Sequence, residues 1–503
     1  MTHVMAIDQG TTSTRCILFD INGKIQKQSQ MEHDQIYVSP GWCEHDPNTL
    51  LANTTTVVNN TLNEYTTIAA VGITNQRETT LVWNRLNGKP LCNAIVWHDT
   101  RTQSIVTRFT NKVPPQSFNG TASEYVMEKT GLPLATYFSA MKLIWILETF
   151  PDADWENMLF GTIDTWLIWN FTGGSKNESI HVTDVTNASR TLMMNLETQM
   201  WDEELCTWLG IPMHLLPKIC ASSTFFGKGS IESCIPNLPI SGVLGDQQAA
   251  LFGQVCFEKG EAKNTYGTGC FLLLHTGSKA VRSTSGLLST VAYKIGTEPT
   301  QFALEGSVAV AGAAIQWLRD QLQIIDDADH VEALAKQVED NGGVYFVPAF
   351  TGLFAPHWKP EARGVLVGLT AYATKCHIAR SALEAVAFQA ADVVHAMEKD
   401  MGMKMKSLKV DGGMVGNELL MQFQSDLLNI SLLRPVVSET TCLGAAYAAG
   451  LAVGFWSSTE ELKSKWQGDK TWTPEMEPSV RNKYVRQWNK AVLRSLDWVE
   501  EEE

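Results

Sequence analysis

The sequence predicts a mixed α/β protein of two domains, joined at about residues 250–260. Three observations carry that reading. Short strand-like runs at the start give way to a helix and then to a wholly apolar strand, the order expected of a mixed sheet. A Gly/Thr turn between two strand-like runs occurs once in each half. And 503 residues exceed what one hydrophobic core organises.

The elements follow in order. "HVMAID", "RCILFD" and "IQKQSQ" are short runs bounded by turn residues and read as a meander. "DPNTLLANTTTVVNNTL" reads as a helix capped by Asp46, with Pro47 at its first position. "IAAVGIT" is a continuous apolar strand of the kind buried on both faces. Near Gly245 the pattern restarts: "KNTYGTGCFLLLH" (residues 263–275) is again two strands around a turn. "LKVDGGMVGN" (residues 408–417) is a strand, an acid and paired glycines ahead of the helical "ELLMQFQSDLL". Tyr484, Trp488, Val492 and Val499 fall at helical spacing, which predicts a final packing helix.

Composition narrows the function. Hydrophobic residues make up 44% and charged residues 18% of the chain, a globular profile. The net charge of −15 argues against nucleic-acid or anionic-membrane binding, so a bound polyanion must be held by local donors. Ten cysteines lie scattered without CxxC or zinc spacing, as in a reduced, cytoplasmic protein. Residues 1–10 reach a strand without a basic-then-apolar leader. "LGAAYAAGLAVGFW" (residues 443–456) is too short to span a bilayer and reads as a buried helix. The closing "VEEEE" matches no lipidation or peroxisomal signal.

Four stretches carry candidate chemistry. In "AIDQGTTSTR" (residues 6–15), Gly10 permits close backbone approach, and Thr11, Thr12 and Ser13 add hydroxyls to an anion nest. Arg15 supplies a cation, and Asp8 suits a hydrated Mg2+ rather than phosphate itself. An ordinary Thr-rich hairpin turn stays open for these residues. "YGTGC" (residues 266–270), a plain hairpin when taken alone, gains meaning as a second donor turn facing the first. In "GITNQRETTLVW", Arg77 and Glu78 follow a buried strand; they are either a solvated pair or a donor and acceptor matched to the vicinal hydroxyls of a polyol. In "GVLGDQQAALFG", Asp246 is either a helix N-cap or the acceptor of a proton from an attacking hydroxyl, which suffices for the loose transition state of phosphoryl transfer. No P-loop and no dinucleotide-binding glycine motif occurs.

Taken together, "IDQGTTSTR", "PGWCEHDP", "GITNQRET", "AIVWHDTRT", "YFSAMKLIWIL", "GTIDTWLIWN", "GDQQAALFGQ", "KNTYGTGCF", "EGSVAVAGAAIQWLRD", "VDGGMVGN" and "TCLGAAYAAGLAVGFW" resemble the glycerol kinase branch of the FGGY carbohydrate kinases. These belong to the actin/sugar-kinase/heat-shock ATPase superfamily. The resemblance implies an α/β fold of two ribonuclease-H-like (actin-like ATPase) domains, residues 1–252 and 253–503, with mixed sheets flanked by helices and the active site in the interdomain cleft.

It also implies ATP-dependent phosphorylation of glycerol to sn-glycerol 3-phosphate, with ATP and Mg2+ as cofactors and Asp246 as general base. Thr11, Thr12, Ser13, Arg15 and Thr268 correspond to phosphate contacts; Gly312, Gln316, Gly413 and Asn417 to the part holding adenosine and its phosphates. Arg77, Glu78, Tyr137, Asp246 and Gln247 correspond to the polyol-binding groups, with Trp97 and Phe271 as an apolar wall. Asp8 (through water) and Asp246 stand on the metal side. A homodimer or homotetramer is expected, with no membrane span and no nucleic-acid partner.

Two departures stand out. "FFGKGSIESCIPNLPI" (residues 225–240) lacks the arginine-bearing loop with which bacterial members bind fructose 1,6-bisphosphate, so inhibition by that sugar is not expected. His98 stands where an amide is frequent, and reads as a surface side chain or a residue at the pocket entrance. Two rivals share the motifs in part: a kinase for a larger polyol or ketose, and an ATP-driven binding protein, for which no extra domain fits after Trp456.

Overall fold

In the computed structural model, residues 2–62, 67–176 and 179–499 are described; of the closing "VEEEE", all but Val499 lies outside them. The opening meander forms β1 (His3–Gln9), β2 (Ser13–Phe19) and β3 (Ile25–Glu32). With β4 (Ile68–Asn75), β5 (Ser223–Lys228) and β6 (Pro239–Gly245) they build a 6-stranded sheet in the order β5-β6-β4-β1-β2-β3. The second strand starts at Ser13, so the turn itself is shorter than the sequence suggests.

The second half repeats the plan. β7 (Ala262–Tyr266), β8 (Cys270–Gly277), β9 (Leu288–Tyr293), β10 (Gln301–Val308), β11 (Ser407–Asp411), β12 (Ser431–Pro435) and β13 (Gly468–Trp472) form a 7-stranded sheet, β9-β10-β8-β7-β11-β12-β13. From β3 across the first sheet the pairings run antiparallel, antiparallel, parallel, parallel, antiparallel. From β10 across the second they run the same way. The duplication expected from the recurring turn is therefore one of topology, with β9 added at the outer edge.

Every residue of β4 is buried, as a parallel strand covered on both faces requires. One face lies in the same core as α1 (Pro47–Thr61), whose N-cap Asp46 accepts from the Asn48 amide as expected. The other face packs on α6 (Thr440–Ala452), the helix read from the apolar run. This helix comes from the second half of the chain yet lies on the first sheet, against α2 (Asp246–Gly253). The two helices cross so closely that a Cβ on Gly444 would stand 1.8 Å from the Ala249 carbonyl oxygen. Small residues at this crossing are a steric requirement, and the crossing locks the halves together.

The remaining helices used below are α3 (Gly312–Asp320), α4 (Lys375–Met401), α5 (Glu418–Leu428) and α7 (Pro478–Ser495). The last buries Trp488 and Val492 against the second core, but it ends at Ser495. Val499 is not on it and is exposed, because the chain leaves helical geometry at Leu496. Among the described residues no helix is long and apolar enough to cross a membrane. All ten cysteines are free.

Candidate active site between the two sheets

The C-terminal ends of β1, β4 and β6 lie side by side, with Asp8 and Leu244 both in register with Thr74. This geometry puts Asp8, Arg77 and Asp246 at one edge of the sheet, where ligand sites of such sheets form. Arg77 and Glu78 are not a solvated pair: both side chains are only 2% exposed. Nor is Asp246 an N-cap. Gly245 occupies that position, and the Asp246 carboxylate, in the first helical turn, accepts from the Gln247 amide at 2.7 Å.

Arg77 Nε lies 3.2 Å from Asp246 Oδ1. Its Nη1 and Nη2 donate to Glu305 at 2.6 and 2.8 Å. Arg190 Nε donates to Glu78 Oε1 at 2.6 Å, and its Nη2 lies 3.3 Å from Glu305 Oε1. Two guanidiniums are thus met by three carboxylates, Glu78, Glu305 and Asp246, the first two of them fully withdrawn from water, where charges must be paired. Glu78 adopts a left-handed backbone, φ 61°; its carbonyl accepts from the hydroxyls of Ser139 and Thr80 at 3.1 and 2.9 Å, which hold that turn.

Electrostatics follow from burial. Burial raises the Asp246 carboxyl, with Arg77, the Gln247 amide and Lys263 pulling the other way. Burial also pushes Asp8 up to about 7, against Arg15, and the Asp246 charge adds to the rise. Glu305 would be raised by burial too, but the guanidiniums of Arg190 and Arg77 hold it at about 2. Burial raises the Tyr137 phenol, which stays protonated.

Three aromatic rings from the two halves of the chain meet beside these charges. Trp97 meets Tyr137 and Phe271 edge-on, with centroids 5.3 and 6.4 Å apart, and Phe271 belongs to β8 of the other sheet. His98 is exposed and stands edge-on to Trp97 at 4.9 Å. Gln247 accepts from Lys263 Nζ at 2.5 Å; the same ammonium donates to Thr265 Oγ1 and the Phe271 carbonyl.

In the first turn the Gly10 amide donates to the Ser13 carbonyl at 2.9 Å. Thr12 is exposed and Thr11 half-buried. Ser13 and Arg15 belong to β2; Ser13 Oγ accepts from Gln30. Arg15 pairs with Glu439, just ahead of α6, and lies 3.9 Å from Asp8. It is therefore already engaged by two carboxylates rather than a free cation.

The second turn meets α3. The Thr268 carbonyl accepts from the amides of Ala311 and Ala313, and the Gly267 carbonyl from that of Gly312, at 2.9, 3.1 and 3.0 Å. A Cβ on Gly312 would stand 2.7 Å from the Gly267 oxygen and 3.4 Å from Met414 Sδ, so Thr268, Gly312 and the Gly413 segment form one cluster. Gly413 has open space where a side chain would be. Gln316 is exposed, one helical turn beyond Gly312. The Asn417 side-chain oxygen is spent on capping α5, accepting from the Leu420 amide at 2.9 Å.

Among the described residues, no three His, Cys, Asp or Glu side chains group tightly enough to hold a bare ion. Two carboxylates at the ends of strands that flank β4, one lifted by burial to about 7, fit a divalent ion that keeps most of its water, as Mg2+ does.

Sequence reading missed Glu305, Arg190, Lys263 and Lys142. Lys142 is buried, lowered by that burial to about 7, and donates to the carbonyls of Thr136 and Tyr137 at 2.8 and 2.7 Å, which fixes the Tyr137 loop. Glu305 and Lys142 are lone charges within apolar runs, "FALEGSV" and "SAMKLIW", a signal that could have found them; Arg190 in "NASRTLM" and Lys263 in "GEAKNTY" carry no such signal.

This fold and site define a two-lobed kinase of small polyhydroxy substrates. The N-terminal domain model of the FGGY family of carbohydrate kinases matches residues 3–253, and the C-terminal one residues 262–453; the chain belongs to that family. Glycerol kinases of Chloroflexus aggregans and Saccharopolyspora erythraea are each 55% identical to it, over 99% of both chains. The crystal structure of Plasmodium falciparum glycerol kinase with ADP superposes with a TM-score of 0.91 at 40% identity, covering 99% of each chain. A ligand-bound xylulose kinase from Lactobacillus acidophilus, 22% identical over 98% of this chain and 97% of its own, shares the fold with a TM-score of 0.85.

Proposed function

We propose that this protein transfers the γ-phosphoryl group of ATP to a terminal hydroxyl of glycerol, giving sn-glycerol 3-phosphate and ADP. The observation that carries the reading is the meeting of Arg77, Glu78 and Asp246 beside an aromatic wall drawn from both halves of the chain. A three-carbon triol has hydroxyls for charge-assisted hydrogen bonds and one apolar edge for a wall. A site built around those hydroxyls rejects analogues lacking one, since its buried polar groups would be left unpaired.

In this reading Arg77, Glu78, Tyr137 and Gln247 hold the polyol, and Trp97 and Phe271 line its carbon chain. Asp246 orients the attacking hydroxyl and takes its proton; a carboxyl raised by burial is better matched to that task than an ordinary one. Thr11, Thr12, Ser13, Arg15 and Thr268 receive the phosphates. Gly312, Gln316, Gly413 and Asn417 border the adenosine, Asn417 through its remaining amide hydrogens. Asp8 and Asp246 would hold Mg2+, through water at Asp8; when bound, that ion supplies charge neutralisation to the phosphate oxygens. The domain division at residues 252–253, a dimeric or tetrameric assembly and a cytoplasmic location belong to the same proposal.

A coupled assay of ADP release with ATP and Mg2+ tests the reading. Glycerol should stimulate release far more than pentitols, hexitols or ketoses at equal concentration. Release indifferent to glycerol, or favouring a larger sugar, would sink it.

A further inference from the structure

We propose that Trp97 couples the polyol pocket to the phosphate turn: its ring lines the first, and its indole N–H orients Thr11 in the second. The inference rests on the functional reading above and deepens it.

Trp97 Nε1 donates to Thr11 Oγ1 at 3.0 Å. A hydroxyl that accepts from an indole must direct its own hydrogen elsewhere. The Thr11 carbonyl is drawn away from the other side, accepting from Gln35 Nε2 at 2.7 Å. Its neighbours are treated alike. The Gly10 carbonyl accepts from Gln9 and Gln76 at 2.8 and 3.2 Å, and the Thr12 carbonyl from the His33 amide at 3.1 Å. With three successive carbonyls withdrawn and the Gly10 amide turned onto the Ser13 carbonyl, the Thr11 O–H and the amides of Thr11 and Thr12 are left to an anion.

The backing is itself held. His45 joins Gln35 Oε1 to Gln76 Nε2 at 2.8 and 3.2 Å. Burial lowers that imidazole to about 3, so it stays neutral and can donate at one nitrogen while accepting at the other. On the pocket side, the Trp97 ring packs on Tyr137 and Phe271, and its backbone N–H donates to Thr79 Oγ1, next to Glu78, at 3.2 Å. A polyol against the ring fixes the plane of the indole, and that plane aims the N–H at Thr11. Coupling of this kind acts in both directions.

Trp97→Phe keeps an aromatic wall and deletes the donor. The KM for MgATP should rise about tenfold, the order expected for one lost positioning hydrogen bond, and glycerol binding should weaken with it, because the coupling is reciprocal. In a Thr11→Val background the same change should leave the MgATP KM where it was, because the bond it removes is already gone. An unchanged MgATP KM in Trp97→Phe, or an equal rise in both backgrounds, overturns the proposal.

Should Trp97→Phe fail to fold, as judged by its melting temperature, Thr11→Val reads the link alone. Its calorimetric Kd for glycerol should weaken although Thr11 borders no polyol; an unchanged Kd overturns the proposal. Failure of the kinase reading is separately visible: the wild-type protein would then release no ADP on addition of glycerol, and both would fall.

Discussion

Arg77, just past the end of β4 in the first sheet, and Glu305, on β10 of the second, meet through two parallel hydrogen bonds of 2.6 and 2.8 Å. One carboxylate from the second half of the chain therefore neutralises the guanidinium that the first half presents to the pocket. Glu305→Gln would leave Arg77 and Arg190 buried with only Glu78 and Asp246 to balance them. Breaking a buried pair costs about 3–5 kcal/mol, and denaturant unfolding should register that loss. A variant as stable as the parent would show that the pair does not couple the sheets.

The same carboxylate sets an acid limit on stability. Its pKa falls from 4.5 to about 2 on folding, so between those values the unfolded chain binds more protons and stability rises with pH. The contribution is complete above about 4.5, is lost as pH falls towards about 2, and is worth about 3 kcal/mol at ~1.4 kcal/mol per pH unit. Unfolding free energy measured across that range should slope less in Glu305→Gln than in the wild type. Equal slopes would contradict the assignment.

Asp246→Asn removes the proposed proton acceptor while keeping the shape of the side chain. Glycerol-dependent ADP release should fall by roughly 10²-fold or more, the worth of a general base, with glycerol still bound in calorimetry. Near-normal turnover would end the proton-acceptor role.

Gly444→Ala tests the crossing of α2 and α6, where the new methyl would stand 1.8 Å from the Ala249 carbonyl. Backbone lies on both sides, so no side chain can yield. A loss of about 3 kcal/mol or more is expected from overpacking, read as a lowered melting temperature. A variant that melts like the wild type would mean that the helices can separate without penalty.

Gly413→Ala makes the opposite case, because open space surrounds the added methyl. Melting temperature should hold while the KM for ATP rises, if adenosine occupies that space. An unchanged KM would move the nucleotide elsewhere.

Much of the site was legible because its chemistry sits at strand ends. Asp8 and Asp246 each follow an apolar run directly, and Thr11 and Arg77 lie within three or four residues of one; the end of a parallel strand is where such residues face a ligand. Their state was less legible. Arg77 and Glu78 read as a pair that water could solvate, until helices and strands from both halves closed over them. Asp246 read as a possible cap, until Gly245 took that position. Val499 matched the spacing of a helix that had already ended.

By itself the sequence determined the opening meander, the buried β4, the Asp46 cap and the strands around both Gly/Thr turns, since turn residues and hydrophobic periodicity act over a few neighbouring positions. Only the tertiary structure decided which charges balance: Glu78 finds Arg190 and Arg77 finds Glu305 across 112 and 228 residues. Such pairings have no local signature. The second joins the two halves, which α6 brings within reach of each other by folding back onto the first sheet; the first closes within one half.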